Sequence, residues 1–179
     1  MRQGNLWVIR HGETEWSASG RHTSSTDLPL TEEGERKAAA VGRLLARKTF
    51  ALVLASPSRR AIDTCRLAGY SALITPDLRE WGYGAYEGLT TAEIQAENRG
   101  WTIWNGTPPG GESAEEVGAR ADRVIAAALA AEGDVALFGH GHMSRVLAAR
   151  WLSMEPAGGR LFALSTGSVS ILGLSLIHI

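Results

Sequence analysis

The stretch Leu6-Trp7-Val8-Ile9-Arg10-His11-Gly12 decides the fold class, because it joins a short apolar run to a charged turn. Four consecutive apolar residues that end at a turn signal predict a buried strand. Four further short segments rich in apolar residues predict four more strands, at residues 51–55, 72–75, 135–138 and 168–174.

Helical patterns separate these predicted strands. Thr31 and Ser113 are typical helix caps, and Glu116 completes a capping box with Ser113. The predicted helices cover residues 31–48, 58–67, 91–97, 114–131 and 143–152. Strands that alternate with helices indicate a three-layer α/β/α sandwich around a mainly parallel sheet.

Composition limits the class of protein. The 179 residues suit one domain, assigned to residues 1–174, and we expect the apolar end at 175–179 to be a truncated or non-native tail. The formal net charge of −1 argues against nucleic acid as a partner. No apolar run reaches the roughly 18 residues of a membrane span, and the single Cys65 fits a reducing compartment. We therefore expect a soluble cytoplasmic protein.

Four cationic or imidazole side chains follow predicted strand ends. Arg10 and His11 follow the first strand, Arg60 opens the helix after the second, and His140 follows the fourth. The carboxyl ends of parallel strands share one edge of a sheet, so these groups should converge there. Two arginines and two histidines form a site for a phosphoryl group, and a neutral imidazole can attack phosphorus.

Taken singly, these residues leave other interpretations open. His140 and His142 have the spacing of a metal-binding pair, although a metal needs further ligands. Arg60 also fits an exposed ion pair at a helix start.

Taken together, the segments resemble the histidine phosphatase superfamily, which has the phosphoglycerate mutase-like fold. The resemblance runs from Leu6 to about Gly173. It rests on residues 10–16 (RHGETEW), 26–34 (TDLPLTEEG), 56–64 (SPSRRAIDT), 78–88 (LREWGYGAYEG), 110–113 (GGES) and 139–141 (GHG). Within the superfamily the chain is most similar to broad-specificity acid phosphatases and sedoheptulose-bisphosphatase-type members.

The resemblance implies a role for each matching residue. His11 becomes phosphohistidine, and Arg10, Arg60 and His140 hold the phosphoryl oxygens. Glu80 is the general acid and base, and Trp81 and Tyr83 beside it would desolvate its carboxyl group. Glu13 and Glu87 are its competitors. The implied substrate-side residues are Thr14, Ser17, Thr23, Ser24, Trp81, Tyr83, Gly141 and His142. Neither metal nor cofactor is needed.

Hydrolysis is favoured over mutase activity, because only Arg99, Arg120 and Arg123 lie between Glu80 and His140 to hold a second acidic group. We expect Arg120 and Arg123 to be on a solvated helix face, and Trp104 to fill the core. The expected substrate is a small phosphate monoester such as a sugar phosphate or bisphosphate, and the expected assembly is a homodimer. A phosphoglycerate mutase-type transfer and a non-catalytic phosphate-binding module remain as alternatives.

Overall fold

Five strands form one sheet in the computed structural model, which describes residues 4–46 and 48–173. The strands are β1 (Leu6–Arg10), β2 (Leu52–Ala55), β3 (Leu73–Ile74), β4 (Val135–Gly139) and β5 (Val169–Leu172). Their order is β3-β2-β4-β1-β5, and only β5 runs antiparallel to its neighbour. The predicted mainly parallel sheet is confirmed.

Within the described residues, six α-helices surround this sheet. They are α1 (Glu15–Ala18), α2 (Glu32–Leu45), α3 (Arg59–Leu67), α4 (Thr91–Glu97), α5 (Ala114–Ala130) and α6 (Gly141–Trp151). Thr31 caps α2 by accepting from the Gly34 amide, and Ser113 caps α5 in a capping box, as predicted. None of the helices in the described ranges is long and apolar enough to cross a membrane.

Alternating strand residues build a core on each face of the sheet. Val8, Leu54 and Leu137 pack in one buried cluster with residues of α5 and α6. Ile9 and Phe138, which point to the opposite face, pack with residues of α2 and α3. The predicted three-layer sandwich is confirmed, since each face of the sheet is covered by helices.

Several predicted boundaries differ from the structure. The helix predicted to reach residue 48 ends at Leu45, and α6 begins two residues before the predicted start, at Gly141. The short helix α1 was not predicted, because its four residues carry no apolar stripe and depend on a capping box between Thr14 and Ser17. The predicted tail at 175–179 lies outside the described residues.

Candidate active site

The pairing of β1 with β4 brings the two histidine segments together. The register places Arg10 opposite Gly139, and the His11 amide continues the ladder by donating to the Gly139 carbonyl at 2.9 Å. The imidazole rings of His11 and His140 therefore lie side by side, with centroids 5.1 Å apart. The predicted convergence at the carboxyl edge of the sheet is present for these residues.

The turn after β1 depends on close backbone packing. A Cβ atom on Gly12 would lie 2.3 Å from the Gly34 carbonyl oxygen, and one on Gly34 would lie 2.1 Å from that of Glu13. Both positions therefore exclude a side chain. This contact seats the start of α2 against the turn that carries His11.

The hydrogen bond of His11 fixes its tautomer. Nδ1 lies 2.6 Å from the Gly12 carbonyl oxygen, which can only accept, so Nδ1 carries the proton. Nε2 is then unprotonated and has a lone pair. Burial, followed by the charge of Arg60, lowers the pKa of His11 to about 3, so the ring is neutral at physiological pH. A neutral imidazole with a free Nε2 is a competent nucleophile.

Polar atoms without a hydrogen-bond partner surround this pair. Among the described residues, the buried Nδ1 of His140 and the buried Nε atoms of Arg10 and Arg60 make no hydrogen bond. Such atoms are rare in folded proteins and call for a ligand or a functional reason. A phosphoryl group has the acceptor oxygens that these nitrogens lack.

Arg60 is fully buried and linked to the loop at residues 23–26. Its guanidinium donates to the carbonyls of Thr26 (3.1 Å), Thr23 (3.2 Å) and Ser24 (3.3 Å). The exposed ion pair considered for Arg60 is therefore wrong. Its neighbour Arg59 forms that pair instead, with Asp63.

Arg10 packs against the first residue of α6. A Cβ atom on Gly141 would lie 3.3 Å from the Arg10 Cζ atom, so glycine gives the guanidinium its room. Arg10 also donates to the Leu164 carbonyl. The lack of a side chain at the predicted site residue Gly141 thus leaves space for the Arg10 guanidinium.

Glu80 occupies the N-terminus of α6. Its Oε1 accepts from the amides of Met143 (2.8 Å) and Trp81 (2.9 Å), and its Oε2 accepts from the His142 amide (3.0 Å). The side chain is 8% exposed and lines the same cavity as His11. The first amides of α6 are therefore bound by the Glu80 carboxylate.

The two competing carboxylates have other partners. Glu87 accepts from Ser24 and Thr26 and so holds the loop that Arg60 contacts. Glu13 bonds to Thr31 and pairs with Lys37. Neither lines the cavity beside His11, which leaves Glu80 as its carboxylate.

A buried arginine supports the Glu80 segment. Arg120 donates to the carbonyls of Asp77 and Arg79, both at 2.9 Å, and pairs with Glu112 at 2.7 Å. The expectation that Arg120 lies on a solvated helix face is wrong. Burial on α5 was missed because the partners are backbone carbonyls of a distant loop, which no sequence spacing reveals.

The cavity has a volume of about 390 Å³ and is rich in cationic and imidazole groups. Eight of the predicted site residues line it: Arg10, His11, Ser17, Thr23, Glu80, Tyr83, Gly141 and His142. Arg60 and His140 lie buried behind this wall. The arrangement suits a phosphate at the His11 end and a small organic group in the rest of the cavity.

Three predicted substrate-side residues do not line this cavity. Thr14 is fully buried and caps α1, and Trp81 is a core residue whose indole donates to the Glu112 carbonyl. Ser24 lines a neighbouring cleft of about 500 Å³ that also contacts Glu80.

The cavity wall also contains residues that sequence reasoning missed, among them Arg21, His22, Thr91 and Thr102. Trp104 packs against the core beside Trp81, as predicted, but its ring also lines the cavity and lies under the Arg145 guanidinium, 4.6 Å from the ring centroid. An aromatic residue in an irregular segment gives no periodic signal for the side it faces. Within the described ranges, no group of three or more His, Cys, Asp or Glu side chains is arranged to hold a metal ion.

Comparison with known proteins agrees with this geometry. Residues 6–176 match the model of the histidine phosphatase superfamily (branch 1). The chain is 42% identical over 178 residues to an acid phosphatase of Mycobacterium tuberculosis, covering 97% of this chain and 88% of that protein. It is 35% identical to the sedoheptulose 1,7-bisphosphatase of Saccharomyces cerevisiae, covering 82% and 67%.

The fold agrees with a solved structure as well. An open reading frame product of Mycobacterium tuberculosis superposes with a TM-score of 0.93 at 40% identity, covering 98% of this chain and 94% of that one. The buried histidine pair, its arginines and the family match lead to one conclusion. The chain belongs to the histidine phosphatase superfamily (branch 1) and is a phosphoric monoester hydrolase.

Proposed function

We propose that this enzyme hydrolyses small soluble phosphate monoesters, such as sugar phosphates or bisphosphates, through a phosphohistidine on His11 and without a metal ion. The observation that carries the proposal is the state of His11. Its Nδ1 proton is held by the Gly12 carbonyl, and its ring is buried between cationic groups with Nε2 free. An imidazole held in this state favours nucleophilic attack on phosphorus over binding alone.

The first step transfers the phosphoryl group to the enzyme. His11 Nε2 forms a bond to phosphorus as the bond to the ester oxygen breaks, and a proton carried by Glu80 passes to that oxygen. Arg10, Arg60 and His140 stabilise the charge that spreads over the phosphoryl oxygens. The alcohol then leaves the cavity.

The second step restores the enzyme. A water molecule enters the place of the alcohol, and the Glu80 carboxylate takes one of its protons. The water oxygen bonds to phosphorus as the bond to His11 Nε2 breaks, which releases phosphate. Glu80 Oε1 accepts from two backbone amides, whereas Oε2 accepts only from the His142 amide and keeps a lone pair that can hold the proton.

Hydrolysis is supported over mutase transfer by the partners of two arginines. Arg120 pairs with Glu112, and Arg123 pairs with Asp77 at 2.6 Å. Neither lines the cavity, so neither offers a free cation to hold the second acidic group of a phosphoglycerate.

The remaining expectations concern the setting of the enzyme. We expect it to act in the cytoplasm, as a homodimer, with a small phosphate ester and no nucleic acid as its partner. Sedimentation at micromolar concentration measures the oligomeric state directly, and a monomer there would contradict the homodimer.

The test is phosphate release from an aryl phosphate and from a panel of sugar phosphates and bisphosphates, in EDTA between about pH 4 and 8. We expect turnover that resists EDTA and is lost in His11→Ala. Activity abolished by EDTA would favour a metal hydrolase. Interconversion of phosphoglycerates without release of phosphate would favour the mutase, and binding of phosphate without turnover would favour a non-catalytic module.

A further inference from the structure

A tyrosine and a histidine on the cavity wall form a short hydrogen bond. The Tyr83 hydroxyl lies 2.6 Å from Nδ1 of His142. Tyr83 is 2% exposed, and among the described residues its hydroxyl has no other hydrogen-bond partner. The ring of His22 packs on Tyr83 with centroids 4.6 Å apart, which restricts movement of the phenol.

The need of the buried Tyr83 hydroxyl for an acceptor decides which group donates in this hydrogen bond. If Nδ1 of His142 carried the proton and donated it, the buried hydroxyl proton of Tyr83 would have no acceptor, which is costly. If the hydroxyl donates, Nδ1 accepts its proton and the imidazole carries its own proton on Nε2. Burial lowers the pKa of His142 well below its usual value and raises that of Tyr83, so the ring is neutral and the phenol protonated.

His142 contacts the general acid through its backbone and the cavity through its side chain. The His142 backbone amide donates to Glu80 Oε2 at 3.0 Å, and its side chain lines the cavity. Among the described residues, Nε2 of His142 makes no hydrogen bond with the protein. A fixed, neutral N–H donor therefore faces the region where the alcohol part of a substrate must lie.

We propose that Tyr83 is a positioning residue that holds His142 in the Nε2–H tautomer, and that this N–H recognises an oxygen of the substrate near the ester oxygen. The substrate class this selects is phosphorylated polyols and sugars, whose hydroxyl or carbonyl oxygens flank the ester carbon. An aryl monophosphate has no such oxygen. The inference rests on the proposed function of the same cavity.

The kinetic test compares glycerol phosphate with p-nitrophenyl phosphate. In Tyr83→Phe, the ratio of kcat/KM for the two substrates falls about three- to tenfold, the worth of one hydrogen bond, and mainly through KM for glycerol phosphate. Tyr86→Phe is the matched control, because Tyr86 does not line the cavity, and there the ratio is unchanged. His142→Gln, whose amide N–H replaces Nε2–H, retains more of the ratio than His142→Asn.

A spectroscopic test separates positioning from general damage. In the wild type, the ¹⁵N shifts of His142 show a protonated Nε2 and an unprotonated Nδ1, and Tyr83→Phe mixes the two tautomers. A protonated Nδ1 in the wild type, or equal losses for both substrates, overturns the inference. If the wild type hydrolysed neither substrate, the proposed function and the substrate class would fail together, while the ¹⁵N shifts would still decide the tautomer.

Discussion

Replacement of Glu80 by glutamine separates the two halves of the proposed reaction. Glu80→Gln removes the group that donates a proton to the leaving oxygen and later accepts one from water. Turnover of an alkyl phosphate should fall by about 10²- to 10⁴-fold, the usual worth of general acid–base catalysis. An aryl phosphate whose phenol leaves without a proton should still phosphorylate His11, after which the phosphoenzyme decays slowly.

The structure also sets the cost of this change for stability. Glutamine keeps one acceptor oxygen for the Met143 and Trp81 amides, but its NH₂ group then faces the His142 amide, which loses its acceptor. We expect the free energy of unfolding to fall by about 1–3 kcal/mol, measured by urea denaturation. This loss leaves the enzyme folded at 25 °C if its stability is in the usual range.

Stopped-flow assay of nitrophenol release is the measurement. Glu80→Gln should give a burst of about one nitrophenol per chain followed by slow release, and Glu115→Gln, an exposed carboxylate on α5, should behave as the wild type. Steady-state alkyl phosphatase activity within tenfold of wild type would refute the role of Glu80. Slow release of nitrophenol without a burst would refute the phosphoenzyme intermediate that Glu80 is proposed to help hydrolyse.

Three further predictions follow from buried charges. Arg60→Ala should lower kcat by about 10²- to 10³-fold, because it removes donors to the phosphoryl oxygens, whereas Arg59→Ala, an exposed neighbour, should keep activity in the same assay. Arg120→Met should lower the free energy of unfolding, measured in urea, by about 3–5 kcal/mol, because the carbonyls of residues 77 and 79 and the Glu112 carboxylate lose their arginine partner. A loss below about 1 kcal/mol would contradict this. In the folded chain the pKa of His11 is lowered from 6.5 to about 3. Between these two pH values the unfolded chain binds a proton on this residue and the folded chain does not, so stability falls as the pH is lowered. The wild type should lose up to about 1.4 kcal/mol of stability per pH unit from this group, and His11→Asn should show a shallower slope between pH 4 and 6.

Local patterns were enough to predict much of the fold. The apolar runs that became β1 and β4 and the caps Thr31 and Ser113 each act within a few residues, so the sequence shows them directly. The direction of β5 and the existence of α1 depend on pairing and capping contacts that periodicity does not report.

The candidate site, like the fold, could be predicted from the sequence only in part. Arg10, His11 and His140 were predictable because strand ends in a parallel sheet share one edge. The burial of Arg120 and the exposure of Trp104 to the cavity were not, because each depends on a loop folding back from far along the chain. The three backbone amides that bind Glu80 could not be predicted either, because residue types do not specify the positions of individual amide groups.

In the proposed reaction, a phosphoryl group resides on His11 during turnover. The most direct measurement is rapid quenching of the enzyme with a ³²P-labelled substrate, followed by digestion and peptide mapping in alkali, where phosphohistidine survives. We expect up to one label per chain, on the peptide that contains His11, and none in His11→Ala. Turnover without any protein-bound label, together with inversion of configuration at phosphorus, would contradict it.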